Sequence, residues 1–336
     1  MKYLILFISL ICVKYSTAQK ITVETLGLRH LQTSFKNSHV DILVKSKKGD
    51  ELKPKPIFLF VQGSLPRPLI IVYDSTHNYP IFPFNTDSLL TDYHIAIISK
   101  PAVPLIVEEN KLSKELTYFD PKTKEFPQLY TKQNYLDYYV ERDQVIIDFL
   151  QNQLWVSKKS FVVAGHSEGS SIIAKLASVS KKITSAIYLS GNPLGRIMSI
   201  IEQSRKEEND TSLLAESSFT YWEKTVRNKE SLSGKNDTYK TTYQFSIPPI
   251  NYMKKISIPV LVLYGTKDVS APFNDYMRTV MINYHKTNFT FKAYIGLEHN
   301  FFPINADGST NYDIYNWDKV AVDIYHWLRK KNKYQH

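Results

Sequence analysis

The chain has 336 residues, of which 43% are hydrophobic and 22% are charged, and its formal net charge is +10. This composition is typical of a globular protein with a large core, and it excludes a disordered chain. The positive charge is spread along the sequence. Its densest runs, residues 45–48 and 329–333, lack the interleaved aromatic residues of a nucleic-acid surface, so we expect no nucleic-acid partner.

Residues 1–18 have the pattern of a secretion signal. A positive start at Lys2 precedes an apolar run over residues 4–13, and small residues up to Ala18 precede Gln19. The run is too short to span a bilayer, which takes about twenty residues. We expect cleavage after Ala18 and a secreted or periplasmic protein with no stable membrane insertion; an uncleaved anchor is the alternative. The single cysteine, Cys12, lies inside this segment, so the mature chain would have no disulfide.

Short apolar runs ended by turn residues predict β-strands. Several are nearly continuous in Val, Ile, Leu and Phe, as expected of parallel strands that are buried on both faces. In chain order the runs are residues 40–44, 57–61, 69–73, 94–98, 161–164, 186–189, 260–264 and 289–295.

Helical periodicity lies between the later runs, over residues 135–154, 170–179, 274–284 and 317–329. In the first of these segments, Tyr139, Val145 and Ile146 are among the residues predicted on one packed side. Strands that alternate with helices of this length indicate βαβ units. We therefore expect an α/β fold with a mostly parallel central sheet flanked by helices.

Two segments depart from this alternation. Residues 101–134 begin with two prolines and continue without a clear period, and residues 195–256 mix charged with aromatic side chains. Both are too long to be simple connections. We expect them to be insertions in a single domain that spans residues 19–336.

The pentapeptide Gly165-His166-Ser167-Glu168-Gly169 follows a buried type of strand and precedes a helix. In that setting G-x-S-x-G predicts a tight turn that holds the serine hydroxyl outward, with glycines where a larger side chain would crowd the chain. The backbone N–H of Glu168 would point toward the hydroxyl from the helix start. The alternative is a serine in an ordinary glycine-flanked turn.

A serine hydroxyl becomes a good nucleophile when a base takes its proton, and an acid must orient that base. Asp268 follows the strand at 260–264, and His299 follows the strand at 289–295. The order serine, aspartate, histidine, with each residue after its own strand, favours a catalytic triad. Asp275 is the rival acid, but it lies inside a predicted helix.

With these residues the chain resembles the α/β-hydrolase superfamily, in its esterase, lipase and peptidase branch, over roughly residues 55–332 apart from the two insertions. The resemblance implies Ser167 as nucleophile, Asp268 as the acid after the seventh strand, and His299 as the base after the eighth. It also implies that residues 195–256 form a cap over the acyl pocket.

The resemblance further implies an oxyanion loop after the third strand, residues 57–61. This loop reads Gln62-Gly63-Ser64, and the backbone N–H groups of Ser64 and Glu168 would hold the oxyanion. Gln62 stands where the family usually has histidine.

These observations predict an exported serine hydrolase that cleaves small-molecule carboxylic esters through an acyl-enzyme. An aminopeptidase-like serine peptidase is the alternative, and a non-catalytic binding protein is a third reading. Residues 195–256 intersperse acids with bases, and neighbouring opposite charges are expected to pair with one another rather than receive a substrate amine. No metal-binding or nucleotide-binding motif occurs, so we expect no metal and no cofactor.

Overall fold

The computed structural model describes residues 21–74, 81–234 and 236–333. The predicted secretion signal, residues 1–18, lies outside these ranges. The strands are β1 (Leu28–Phe35), β2 (Ser38–Lys45), β3 (Lys55–Val61), β4 (Ile70–Val72), β5 (His94–Ile98), β6 (Ile106–Glu108), β7 (Val156–His166), β8 (Ser185–Leu189), β9 (Val260–Gly265) and β10 (Phe289–Tyr294). The helices are α1 (Asp87–Asp92), α2 (Gln128–Gln133), α3 (Leu136–Gln151), α4 (Glu168–Val179), α5 (Arg196–Glu207), α6 (Leu214–Arg227), α7 (Tyr239–Ser246), α8 (Ile250–Met253), α9 (Ala271–Asn283) and α10 (Trp317–Lys333).

Eight strands form one sheet in the order β1-β2-β5-β3-β7-β8-β9-β10. β2 pairs antiparallel with β1 and with β5, and the other pairs in this sheet are parallel. All the residues of β5, β8 and β9 are buried, because helices cover parallel strands on both faces. The prediction of a mostly parallel sheet is confirmed.

The sheet separates two apolar layers, as the side chains of β3 show. Ile57 and Leu59 pack in a cluster with α3, α4 and α9, whereas Phe58 and Phe60 pack in a cluster with α1 and α10. Successive side chains of a strand point to opposite faces. The prediction of helices on both sides of the sheet is therefore confirmed.

Two strands differ from the expectation. The run at 69–73 forms β4, which pairs with β6 in a separate two-stranded sheet instead of joining the large one. β1 is an edge strand whose burial pattern is mostly intermediate or exposed, so it lacks the continuous apolar run that revealed the central strands.

The prediction for one residue of α3 is wrong. The sequence pattern predicts Val145 on the packed side, but Val145 is 42% exposed. The buried stripe runs through Tyr139, Ile146, Ile147 and Leu150, which recur at helical spacing. Val145 falls beside that stripe.

The two predicted insertions contain short elements of their own. Residues 101–134 include β6 and α2, and residues 195–256 include α5, α6, α7 and α8. On the outer side of this four-helix segment, Arg205 binds Glu208 and Glu216, and Arg227 binds Glu223. The expected pairing of neighbouring charges is confirmed for these residues. No helix in the described part of the chain is long and apolar enough to cross a membrane.

Candidate active site

The turn between β7 and α4 holds Ser167 in a backbone conformation that side chains rarely adopt. Its φ is 56° and its ψ is −120°, and its N–H donates to the carbonyl of Leu189 at 3.0 Å. A Cβ on Gly165 would lie 2.2 Å from the carbonyl oxygen of Gly169, and one on Gly169 would lie 2.2 Å from that of Val61. The backbone conformation of Ser167 costs about 1–3 kcal/mol, so the surrounding fold must impose this turn.

Asp268 and His299 are brought together by the loops that follow β9 and β10. Nδ1 of His299 donates to Oδ2 of Asp268 at 3.0 Å, and the backbone N–H of Ser270 donates to Oδ1 at 2.9 Å. The Asp268 side chain is 1% exposed and that of His299 is 37% exposed. A buried carboxylate therefore orients an imidazole that is partly exposed to solvent.

The charge on His299 is favoured by its neighbours. Burial opposes protonation of the imidazole, but the hydrogen bond to Asp268 and the negative charges of Asp268 and Glu298 outweigh it. The pKa of His299 is consequently raised above its usual value. Such a shift makes the ring a stronger base once it has lost its proton.

Ser167, Asp268 and His299 line one cavity of about 870 Å³ at the carboxyl edge of the sheet. Among the described residues, no hydrogen bond joins the Ser167 hydroxyl to the His299 imidazole. Bonds of this kind are often long without substrate and tighten in the substrate complex. The structure thus places a hydroxyl, an imidazole and a buried carboxylate around a single space.

The loop after β3 lies directly against Ser167. A Cβ on Gly63 would lie 3.3 Å from the Cβ of Ser167, and the adjoining Ser64 lines the cavity together with Glu168. Glu168 is the first residue of α4, so its N–H has no acceptor within the helix. Gln62 donates through Nε2 to the last carbonyl of β5 at 3.1 Å, which ties this loop to the neighbouring strand.

A buried group of charges beside Ser167 was not predicted from the sequence. The Glu168 side chain is 2% exposed; it binds Nζ of Lys100 at 3.2 Å and the guanidinium of Arg196. Arg196 begins α5 and also binds Asp237 at 2.5 Å. These partners lie far apart in the chain, so no local pattern reveals them. They connect the four-helix segment to the residue after Ser167.

Two other carboxylates, one of them the rival acid, are occupied by structural contacts. Asp275, the rival acid, accepts a hydrogen bond from the hydroxyl of Tyr264 at 2.5 Å. Oε1 of Glu298 accepts from the backbone N–H groups of Asn300 at 2.7 Å and Phe302 at 3.0 Å, so Glu298 braces the turn that carries His299. In the described ranges, no group of three or more His, Cys, Asp and Glu residues is placed to hold a metal ion.

No protein-family model and no curated protein sequence matches the chain. Solved structures match over most of its length. Est1E from Butyrivibrio proteoclasticus aligns with 90% of this chain and 99% of its own, at a TM-score of 0.53 and 12% identity. The 2,6-dihydroxy-pseudo-oxynicotine hydrolase aligns with 90% of this chain and 67% of its own, at 0.51 and 12%.

An acylaminoacyl peptidase aligns with 81% of this chain, at a TM-score of 0.51 and 14% identity, but with only 37% of its own length. The chain thus spans about a third of that peptidase and nearly all of Est1E. At these identities the likeness concerns the fold.

The candidate residues follow the strands that the resemblance to the α/β-hydrolase superfamily implies. Counted along the chain within the large sheet, β3 is the third strand, β9 the seventh and β10 the eighth. Ser64, Asp268 and His299 follow these strands, and Ser167 follows β7. The protein therefore has the α/β-hydrolase fold.

Proposed function

We propose that the protein is a serine hydrolase that cleaves carboxylic esters through an acyl-enzyme intermediate. The observation that supports this most strongly is the meeting of Ser167, His299 and Asp268 at one cavity, each after its own strand of the sheet. A hydroxyl, an imidazole and a carboxylate in this relation perform nucleophilic acyl transfer on several unrelated folds.

In the proposed reaction, Nε2 of His299 takes the proton of the Ser167 hydroxyl as its oxygen attacks the ester carbonyl. Asp268 keeps the proton on Nδ1, which leaves Nε2 free to accept. The backbone N–H groups of Ser64 and Glu168 stabilise the oxyanion. His299 then returns the proton to the departing alcohol, and a water molecule hydrolyses the acyl-enzyme by the same steps.

The charges around the cavity favour an ester over a peptide substrate. An enzyme that trims peptides from the amino end needs a free carboxylate for the substrate ammonium group. Glu168 and Asp237 both bind Arg196, Asp268 binds His299, and Glu298 accepts backbone N–H groups. The cavity carboxylates are thus already paired.

The cavity wall also favours short acyl chains. Polar side chains, among them Ser64, Asn192, Ser199 and Gln203, interrupt the apolar surface of this wall. A long alkyl chain would remove water from these groups without replacing their hydrogen bonds, which costs free energy. Acetyl and butyryl esters avoid most of this penalty.

We also infer that the protein is exported and that residues 195–256 act as the cap of a single domain, residues 19–336. The inference of export depends on the signal pattern in residues 1–18. Mass spectrometry of exported protein should find a chain that starts at or near Gln19. An intact Met1 would instead support a retained anchor.

A substrate panel tests the proposed reaction. We expect hydrolysis of p-nitrophenyl acetate and butyrate, slower hydrolysis of long-chain esters, and little or no release from aminoacyl-anilides, with Ser167→Ala as the blank. A kcat/KM for any aminoacyl-anilide above that for the best short ester would replace the esterase proposal with the peptidase alternative.

A further inference from the structure

His166, the residue before Ser167, holds the backbone of His299. Nε2 of His166 lies 3.1 Å from the carbonyl oxygen of His299, and the two ring centroids are 5.0 Å apart. A carbonyl oxygen can only accept a hydrogen bond, so Nε2 of His166 must carry a proton and donate it. The bond therefore joins the end of β7 to the loop that carries the proposed base.

The surroundings of His166 keep this donor in place. Its ring lies edge-on to Trp317, with centroids 5.0 Å apart, and within 6.4 Å of Phe301. Burial, followed by the charge of His299, lowers the pKa of His166 to about 3. The ring is therefore neutral at any working pH, and titration neither adds nor removes the Nε2 proton.

The turn that carries His299 needs fixed contacts because its backbone is strained. Phe301 is fully buried yet has a φ of 62°, which is rare for a bulky side chain. The N–H of Glu298 donates to the carbonyl of Phe302 at 2.8 Å, and the N–H of Phe301 donates to that of Glu298 at 3.0 Å. These contacts close the turn on itself, whereas His166 connects it to the nucleophile.

We propose that His166 is a positioning residue: its Nε2–H fixes the carbonyl of His299 and so keeps the imidazole of His299 aligned with the Ser167 hydroxyl. This inference rests on the proposed function. His166 does not touch the reacting atoms, so its loss acts through misplacement of the base. A displacement of about 1 Å at a catalytic group can lower a rate by roughly 100-fold.

Two substitutions separate the hydrogen bond from the packing of the ring. His166→Phe keeps a flat ring against Trp317 but removes the donor, whereas His166→Gln keeps a side-chain N–H and removes the ring. We expect kcat for p-nitrophenyl acetate to fall on the order of 10-fold to 100-fold in the Phe variant, with KM little changed. In His166→Gln, kcat should be close to that of the wild type. The rate of labelling by a fluorophosphonate reagent should likewise be close to wild type in His166→Gln and lower in His166→Phe.

Proton NMR provides a readout that does not depend on turnover. The Nδ1 proton of His299, bonded to Asp268, should give a low-field resonance that is sharp in the wild type and in His166→Gln. In His166→Phe this resonance should broaden, because the turn is no longer anchored. Trp155→Phe, which changes a ring pair with His94 at the opposite end of β7 from His166, serves as the packing control, and we expect it to lower the melting temperature while leaving kcat and the resonance close to wild type.

A Phe variant with wild-type kcat and an unchanged resonance would overturn the proposal. So would a Gln variant as impaired as the Phe variant, since packing would then be the cause. If the Phe variant does not fold, the Gln variant decides: kcat near wild type supports the proposal, and a large loss refutes it. The wild type could lack esterase activity while the low-field resonance still broadens in His166→Phe. This result would refute the proposed function, but it would support the anchoring of His299 by His166.

Discussion

Asp268 and Asp275 are two carboxylates close together in the chain, and their partners distinguish them. Asp268 accepts from the imidazole of His299 and from a backbone N–H. Asp275 accepts from the hydroxyl of Tyr264, at the contact between α9 and β9. At the scale of single residues, only the first arrangement can hold a base in one tautomer.

We predict that Asp268→Asn lowers kcat for a short ester on the order of 10⁴-fold, as neutralising a triad acid does elsewhere. Asp275→Asn is the matched control and should leave kcat within a few-fold of wild type, with a stability loss of about 1 kcal/mol from its hydrogen bond. Steady-state kinetics and thermal unfolding of both variants check this. If kcat fell severely in Asp275→Asn and only slightly in Asp268→Asn, Asp275 would be the acid.

The pH dependence of kcat/KM should follow the protonation of His299. Because its pKa is raised above the usual value for histidine, the protonated ring, which cannot act as a base, persists to a higher pH than in an unperturbed histidine. We expect kcat/KM to rise with pH and to reach half its maximum above pH 6.5. Asp268→Asn removes the charge that favours the protonated ring, so it should shift the midpoint downward. Glu298→Gln should shift the midpoint in the same direction by less, and a wild-type midpoint below 6.5 would contradict the assignment.

At the scale of elements, one ion-pair group joins α5 to α4. Arg196 binds Glu168 and Asp237, and Lys100 binds Glu168 from the core side. The side chains of Glu168 and Lys100 are 2% and 3% exposed. Each charge in such a place depends on its partner, because an uncompensated buried charge is costly.

We predict that Arg196→Met lowers the free energy of unfolding by about 1–3 kcal/mol, since the buried carboxylate of Glu168 loses one charged partner and keeps only Lys100. Arg205→Met is the control. It removes the exposed pairs with Glu208 and Glu216, and it should cost about 1 kcal/mol or less. Urea unfolding of both variants measures the difference. Equal losses would show that Arg196 is no more than a surface contact.

The sequence reveals elements whose signal is local. β9 could be predicted because all its residues are apolar and buried, and the turn at Ser167 because its two glycines stand at fixed spacing. β1 could not, because an edge strand mixes exposed and buried positions. The contacts of Arg196 and His166 could not either, since their partners lie in distant segments that only the folded chain brings together.

At the scale of the whole molecule, the direction of the strands determines where the candidate site lies. Parallel strands end at one edge of the sheet, so the loops after β3, β7, β9 and β10 meet there. The four-helix segment adds Arg196 and Phe245 to the same cavity. The proposed function therefore depends on the reactivity of one residue at this edge, because Ser167 must act as the nucleophile.

A fluorophosphonate reagent tests this reactivity most directly, since it reacts with an activated serine and does not depend on the choice of substrate. We predict that peptide mapping of the labelled protein finds one adduct, on Ser167. Labelling should be lost in Ser167→Ala, whose melting temperature should stay close to wild type because the hydroxyl makes little packing contact. An unlabelled wild type, or a Ser167→Ala variant that labels fully, would contradict the account.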